Sequence, residues 1–250
     1  RSWCIRNICM LYKIKIDSPI SCYLYIQHNM SFGEKVVIGV DEAGRGPLFG
    51  DVYTSAVILP DPSEDDFDLT LLKDSKKFTS KKKIKEVFQY IQDRNTIYSI
   101  DFATCGEIDK INILQATQRS MHKSIYNVIT QYIKKVENFT AELFDCIHIC
   151  IDGNYFNEFH YFYDNKYHKI SHECLVKGDA LCKAISAASI LAKVARDNYI
   201  DAFIQENPDY DEKYKLSSNK GYGTKQHIEG IRLHGYSPYH RQSFKLKSIP

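Results

Sequence analysis

The feature that most constrains the fold is a short apolar run that ends in two carboxylates. Residues 36–40 are apolar and lead directly into Asp41 and Glu42, and a second, β-branched run covers residues 52–59. The link between the two runs contains Gly44, Gly46 and Gly50. Runs of this length bounded by glycine predict two neighbouring strands. They also place acidic side chains where the first strand ends.

The rest of the chain predicts a mixture of helices and strands. Thr79 and Ser80 can cap a helix whose apolar positions Ile84, Val87 and Ile91 keep helical spacing. Further patterns predict a third strand, one long amphipathic helix or two in succession, two more strands, a helix rich in alanine and a last helix, in that order at residues 96–102, 108–136, 147–151, 174–176, 180–203 and 225–233. We therefore predict an α/β fold with a five-stranded mixed sheet flanked by helices and a helical, loop-rich C-terminal cover.

Composition favours one ordinary globular domain. The 250 residues are 44% hydrophobic and 26% charged, and no apolar run approaches the roughly 20 residues that cross a bilayer. Met30 resembles a natural start, so residues 1–29 are interpreted as an irregular extension and residues 30–250 as the domain. A net charge of +2 says little about partners, but residues 213–247 hold eight Lys or Arg against one acid, Glu229. That asymmetry indicates a face suited to a polyanion.

Eight cysteines are scattered without a Cys-x-x-Cys pair, and no secretory signal precedes them. We interpret them as reduced thiols of an intracellular, cytoplasmic protein. The tightest set is Cys146-Ile-His148-Ile-Cys150, for which a zinc site is conceivable. Buried small side chains are the preferred interpretation, because the thiol is among the most buried groups.

Four acids fall where strands or loops are predicted to end: Asp41, Glu42, Asp152 and Asp179. Such ends converge on one edge of an α/β sheet. Asp41 and Glu42 can share a site only if the strand ends or bends between them, since successive side chains alternate faces. Clustered carboxylates repel one another unless a cation lies between them, and hard oxygen ligands suit Mg²⁺ or Mn²⁺. The alternative is that Asp152 is a turn acid and Asp179 a helix N-cap.

Seven blocks, in order from about residue 36 to 244, carry a family resemblance. The blocks are VIGVDEAGRGPL from Val37, LKDSKK from Leu72, IDGN from Ile151, KGD from Lys177, AASILAKVARD from Ala187, KGYGT from Lys220 and HRQSF from His240. Together and in this order, they strongly resemble ribonuclease HII.

The resemblance implies a ribonuclease H-like fold and an endonuclease that cuts 5′ of a ribonucleotide in RNA–DNA hybrids or ribonucleotide-containing duplex DNA. It implies two-ion catalysis that leaves 3′-hydroxyl and 5′-phosphate ends, with Mg²⁺ or Mn²⁺, and a monomer as the acting form. The residues it assigns are the metal-binding and catalytic carboxylates Asp41, Glu42, Asp152 and Asp179, Asp197 behind them, and the substrate-binding residues Gly44, Arg45, Gly46, Lys76 and Tyr222. Glycines let backbone approach a ribose, whose 2′-hydroxyl distinguishes RNA from DNA.

Departures and alternatives remain at this stage. Asp51 stands where family members commonly have proline, and a local effect is expected. Arg45 and the short leader favour HII over the related ribonuclease HIII. Six lysines within residues 76–85 indicate a solvated helix face or, for Lys76 and Lys77, phosphate contact. The competing functions are another ribonuclease H-like nuclease, such as a junction resolvase, and a non-catalytic nucleic-acid-binding protein.

Overall fold

The structure is a computed structural model, and it describes residues 35–61, 66–73, 75, 78–244 and 246. The interpretation of residues 1–29 as an extension therefore lies outside the described residues. So does the assignment of Lys76 to substrate binding.

Six strands form one mixed sheet in the order β3-β2-β1-β4-β6-β5. β1, β4 and β6 run parallel to one another, whereas the β1–β2, β2–β3 and β5–β6 pairs are antiparallel. The α/β class and the mixed sheet are confirmed, but the predicted number of five strands is wrong. The strands are β1 Val36–Ala43, β2 Val52–Ile58, β3 Ile97–Ala103, β4 Ile147–Asp152, β5 Phe159–Tyr163 and β6 Lys166–Leu175.

The strand that the sequence did not indicate belongs to a hairpin of β5 and β6. Asp164 and Asn165 both have positive φ, 47° and 57°, as a tight two-residue hairpin turn requires. Polar side chains occupy most of the first half of β6, which weakens the apolar alternation. The short strand predicted at residues 174–176 was thus the end of a ten-residue strand.

Helices cover both faces of the sheet. Their bounds are α1 Lys81–Asp93, α2 Cys105–Lys135, α3 Gly178–Leu181, α4 Lys183–Glu206, α5 Pro208–Tyr214, α6 Leu216–Asn219 and α7 Lys225–His234. Ser80 caps α1 by accepting from Lys82 N, as predicted. The long pattern at residues 108–136 is two helical segments joined at Asn112, whose φ of 66° and ψ of 163° are not helical. The helices α5 to α7 form the C-terminal cover.

The core has two layers. On one face Ile38, Val40 and Ile149 pack with α2, and on the other Val57 packs with α1 and α4. Asp51, the departure from the family pattern, is buried and accepts a hydrogen bond from Cys105 N at 2.9 Å, so it binds the first amide of α2. Within the described part of the chain, no helix is long and apolar enough to span a membrane.

Gly39 lets β1 lie directly against α4. A Cβ there would stand 2.1 Å from the carbonyl carbon of Ala184 and 2.3 Å from Ile185 N. Both obstacles are backbone, so relief requires the helix to move. We expect Gly39→Ala to lower the free energy of unfolding by about 3 kcal/mol, measured by urea denaturation. Gly106→Ala is the matched control, because its Cβ would meet no atom closer than 4.0 Å; equal losses in both variants would contradict this account of β1 packing.

Candidate active site

Two of the predicted acids meet at the carboxyl edge of the parallel strands. β1 and β4 are paired up to Val40 opposite Ile151, so the next residues, Asp41 and Asp152, stand side by side. Asp41 is only 5% exposed. The sheet therefore brings together two carboxylates that are more than a hundred residues apart in sequence.

Asp41 is buried among like charges. Its pKa is raised well above the ordinary aspartate value, first because burial penalises the charged form and then because Glu42 and Asp152 add negative charge. A hydrogen bond from Ser189 on α4 acts in the opposite direction. Ser189 also contacts Ser75 through an Oγ–Oγ distance of 2.9 Å.

The strand does not end between Asp41 and Glu42. Pairing with β2 continues past both, with Asp41 opposite Ser55 and Glu42 opposite Thr54. The chain turns only at Gly44, where φ is 94°. Glu42 lies close enough to raise the pKa of Asp41 and forms an ion pair with Arg45 at 3.3 Å. It therefore links the acids to the loop that follows.

The turn after β6 connects Asp152 with the fourth acid, Asp179. Asp152 Oδ1 accepts a hydrogen bond from Gly178 N at 2.7 Å, and Asp179, 8% exposed, follows in the first turn of α3. Lys177, in the left-handed conformation, occupies the N-cap, so the alternative that Asp179 caps the helix is wrong. The turn thus attaches the segment that carries Asp179 to Asp152.

The donor set fits a hard divalent cation. All four groups are carboxylates, and the buried Asp41 is surrounded by negative charge that a cation would offset. They are neighbours rather than a closed shell: among the described residues, no three of them bring ligand oxygens within 4.8 Å of one another. Binding of one cation by three or more of them would require side-chain movement.

The loop of Gly44, Arg45 and Gly46 lies beside Tyr222. A Cβ on Gly44 would stand 2.0 Å from Arg196 Nε, and one on Gly46 would stand 3.7 Å from Tyr222 Cε1. Arg196 Cζ lies 5.7 Å from the Tyr222 ring centroid. The Tyr222 ring is 45% exposed. The loop and the ring therefore form one exposed surface next to Glu42.

Arg241 holds this loop in place from the protein interior. Its guanidinium is fully buried and donates to the carbonyl oxygens of Gly44 at 2.6 Å and of Arg45, Pro47 and Gly50 at 2.8 Å each. Burial lowers the pKa of Arg241 to about 10, which leaves it charged at neutral pH. The sequence counted Arg241 among the basic residues of a face suited to a polyanion, whereas the structure buries its guanidinium against backbone carbonyl oxygens.

Arg196 holds the adjacent turns in the same way. It is 1% exposed and donates to the carbonyl oxygens of Phe49, Asp51 and Lys220 at 3.0–3.2 Å. The loop before β2 and the segment before Tyr222 are thereby joined through one side chain. The sequence signal that could have identified it is an arginine that directly follows the mostly apolar run of α4, because such a helix is expected to be buried.

A buried histidine pair supports Tyr222. His240 Nδ1 accepts from Ser237 N at 3.0 Å, so its Nε2 carries the proton and donates to His227 Nε2 at 3.0 Å. His227 Nδ1 then donates to Tyr222 O at 2.9 Å. Both rings must be neutral for this chain of bonds to exist.

The histidine pair predicts acid sensitivity. Burial lowers the pKa of His240 from 6.5 to about 3, and the pKa of His227 is also lowered. The unfolded state then binds more protons below pH 6.5, so stability is complete above that pH and is lost as pH falls towards 3. For His240 the loss is about 1.4 kcal/mol per pH unit. We expect His240→Gln to flatten the dependence of the unfolding free energy on pH between 6.5 and 4, and His234→Gln, an exposed control, to leave it unchanged. Equal slopes in all three proteins would contradict the assignment.

The remaining predicted residues are less closely joined to the acids. Asp197 forms an ion pair with Lys193, one helical turn before it on α4, at 2.6 Å. The lysines of α1 are exposed while Ile84 and Val87 face the core, so the solvated-face interpretation fits that helix.

The aromatic residues of the C-terminal part divide between core and surface. Tyr214 is buried, and Tyr236 and Phe244 pack in the same cluster around Phe49. Tyr222 remains exposed. Most of these rings thus pack within the C-terminal cover, and Tyr222 is the clearest candidate for stacking on a nucleic acid.

Comparison with known proteins agrees with this geometry. The family model described as Ribonuclease HII matches residues 38–247. The chain belongs to the ribonuclease HII family. It is 41% identical over 214 residues to the ribonuclease HII of Treponema denticola, covering 86% of this chain and 100% of that protein. It is also 40% identical to that of Christiangramia forsetii, over 84% of this chain and 90% of that one.

Membership makes the chain a hydrolase of the ribonuclease H type, from a divalent-metal-dependent family that acts on RNA–DNA hybrids. Solved structures agree on the fold. Ribonuclease HII of Archaeoglobus fulgidus, determined in a complex with PCNA, has a TM-score of 0.57 at 19% identity, covering 86% of this chain and 98% of that one. Ribonuclease H2 of Pyrococcus horikoshii has the same TM-score at 22% identity, covering 84% and 93%.

Proposed function

We propose that this enzyme cuts the phosphodiester on the 5′ side of a ribonucleotide, in RNA–DNA hybrids and in DNA duplexes with embedded ribonucleotides. The observation that carries the proposal is the position of the buried Asp41 beside Asp152. Glu42 follows Asp41 in the chain and pairs with Arg45, which belongs to the glycine loop. That loop lies beside the exposed Tyr222. Carboxylates suited to hydrolysis and a surface suited to ribose recognition therefore lie next to each other.

Asp41, Glu42, Asp152 and Asp179 would hold two divalent cations, Mg²⁺ or Mn²⁺. When bound, such ions activate water and offset charge on the attacking and leaving oxygens. The burial of Asp41 supports this role, because a buried acid among like charges gains most from a nearby cation. The hydrogen bond from Gly178 N orients Asp152 so that its second oxygen is available to a ligand.

The loop would recognise the ribose through backbone donors. Arg241 holds the carbonyl oxygens of Gly44 and Arg45 towards the interior. Because the peptide units are trans, the amide N–H groups of Arg45 and Gly46 point the opposite way, towards the exposed side. There they can donate to a 2′-hydroxyl or a phosphate oxygen. The absence of side chains at Gly44 and Gly46 permits the close approach.

The product ends test the cut that we propose. A duplex with one ribonucleotide should yield a 3′-hydroxyl on the upstream fragment, which a DNA polymerase extends, and a 5′-phosphate on the fragment that begins with the ribonucleotide. Fragments that are not extended, or a cut on the 3′ side, would contradict the proposed chemistry. Action as a monomer in the cytoplasm remains a prediction.

Tyr222 is expected to position the sugar rather than hold metal. Removing the ring in Tyr222→Ala should reduce turnover on a single-ribonucleotide duplex by roughly tenfold to 100-fold, since one stacking contact contributes about 1–3 kcal/mol. The concentration of Mg²⁺ at half-maximal activity should not change. Tyr222→Phe, which keeps the ring, should retain most activity, and Tyr167→Ala removes another exposed tyrosine, on β6, as a control. Unchanged kinetics in Tyr222→Ala would refute this role.

A further inference from the structure

A second cluster of metal-binding side chains lies on the same face of β4 as Asp152. His148, Cys150 and Glu173 bring their ligand atoms within 4.8 Å of one another. It is the one mixed group of this kind among the described residues. Cys150 and Glu173 are directly opposite in the β4–β6 register, and two-residue spacing puts His148 on the same face as Cys150.

Cys182 completes the group from the start of α4. It occupies the N-cap position of that helix. Its sulfur accepts a hydrogen bond from the Cys150 thiol and from the backbone amides of Ala184 and Ile185. One thiol, one imidazole and one carboxylate therefore lie together on two strands, and the Cys182 thiol lies beside Cys150 as the candidate fourth donor.

We propose that His148, Cys150, Glu173 and Cys182 form a second metal site, which takes a thiophilic divalent cation such as Zn²⁺ and is separate from the four-carboxylate site. The mixed sulfur, nitrogen and oxygen donors suit such a cation, whereas the carboxylates at the sheet edge suit a hard one.

The distances match a tetrahedral site. Cys150 Sγ and His148 Nε2 each lie 3.6 Å from Glu173 Oε1. Tetrahedral Zn²⁺, with bonds of about 2.3 Å to sulfur and about 2.0 Å to nitrogen or oxygen, separates sulfur from oxygen by about 3.5 Å and nitrogen from oxygen by about 3.3 Å. The Cys150–Glu173 and His148–Glu173 pairs thus need to move only a few tenths of an ångström, whereas Cys182 needs a further side-chain movement to complete the site.

A supporting hydrogen bond sets the histidine in the required tautomer. Ser171 Oγ donates its one hydrogen to Ile147 O at 3.0 Å. Towards His148 Nδ1, 2.8 Å away, it can therefore only accept. Nδ1 therefore carries a proton, which leaves Nε2, the atom that faces Glu173, as the one that can bind a cation. Metal-binding histidines in proteins are oriented by the same kind of outer contact.

The site is buried enough to exclude competing water and open enough to load. Cys150 is fully buried and His148 is 8% exposed, while the side chain of Glu173 is 30% exposed. A cation bound here would join β4, β6 and α4, which flank the turn that carries Asp179. We therefore expect Zn²⁺ to raise the melting temperature.

Cobalt binding tests the proposal on the full chain. Titration with Co²⁺ in excess Mg²⁺, which occupies the carboxylate site, should give one equivalent of a four-coordinate visible spectrum together with a thiolate-to-cobalt charge-transfer band. Cys150→Ser and Cys182→Ser should lose the charge-transfer intensity in part and bind Co²⁺ at least tenfold more weakly. Serine is also a favourable N-cap residue, so Cys182→Ser should fold.

Two control variants test whether neighbouring cysteines, rather than Cys150 and Cys182, bind the cobalt ion. Cys174→Ser changes a cysteine whose side chain packs in the core on the opposite face of the sheet. Cys146→Ser changes the thiol that the sequence alone grouped with His148 and Cys150. Both should keep the wild-type spectrum. Two outcomes would overturn the proposal: a folded wild-type protein that shows no charge-transfer band, or a band that is unchanged in Cys150→Ser or in Cys182→Ser. In either case the four side chains form only a hydrogen-bonded cluster. Nuclease activity is not a readout, so this outcome is independent of the proposed function.

Discussion

Asp152→Asn is expected to abolish cleavage while leaving substrate binding and the fold intact. The side chain lies beside the buried Asp41 and accepts a hydrogen bond from Gly178 N. Asparagine can still accept that bond through its oxygen, so the turn should persist. What is lost is the negative charge that holds a cation. Because a catalytic cation contributes several kcal/mol and each 1.4 kcal/mol is tenfold in rate, the loss should be at least about 1000-fold.

Asp209→Asn provides the matched control. Asp209 lies on α5, where it pairs with Lys213 on an exposed surface at 3.0 Å, so its loss should leave the rate within twofold of wild type. Hybrid binding by a filter or anisotropy assay and the circular dichroism spectrum should be preserved in both variants. If Asp152→Asn unfolds the protein, Asp152 is a structural turn acid, and if it retains full turnover, the carboxylate site is misassigned.

Arg241→Met is expected to be the most destabilising single substitution that we predict. Methionine fills much of the space but donates nothing, so the carbonyl oxygens of Gly44, Arg45, Pro47 and Gly50 lose their shared donor. At about 1 kcal/mol for each buried carbonyl left unsatisfied, the cost is about 4 kcal/mol. For a chain of this size that corresponds to a fall in melting temperature of roughly 10 °C.

Arg241→Lys separates charge from geometry. A lysine keeps the positive charge but cannot reach four carbonyl oxygens with one ammonium group, so the variant should recover less than half of the lost stability. Arg232→Met, at an exposed position on α7 with a weak contact to Glu229 at 3.4 Å, should change the melting temperature by no more than about 2 °C. Arg241→Met as stable as Arg232→Met would show that the loop does not depend on this guanidinium.

The sheet edge was predictable because local pattern and general topology agree there. Residues 36–40 and 147–151 are β-branched runs that end in acids, and parallel strands bring such ends together. The structure pairs the same runs and sets Asp41 next to Asp152. The start of α1 after Ser80 followed in the same way, from a residue whose side chain caps helices.

Features created by tertiary contact were not predictable. The β5–β6 hairpin has weak apolar alternation because much of β6 is exposed, and it forms by pairing with β4. The roles of Arg196 and Arg241 depend on carbonyl oxygens that come from distant turns. Cys182 and Glu173 are far from His148 in sequence, so the grouping by sequence chose Cys146 instead.

One measurement tests the central claim most directly. Two labelled DNA duplexes of identical sequence, one with a single embedded ribonucleotide and one without, are incubated with the enzyme in Mg²⁺, in Mn²⁺ and in chelator. The account predicts one cut, on the 5′ side of the ribonucleotide, only in the first duplex and only with metal. Cutting of both duplexes would contradict recognition of the ribose and favour a resolvase-like nuclease. Binding without cutting by the folded protein in either metal would contradict the assignment of the four carboxylates as a catalytic site.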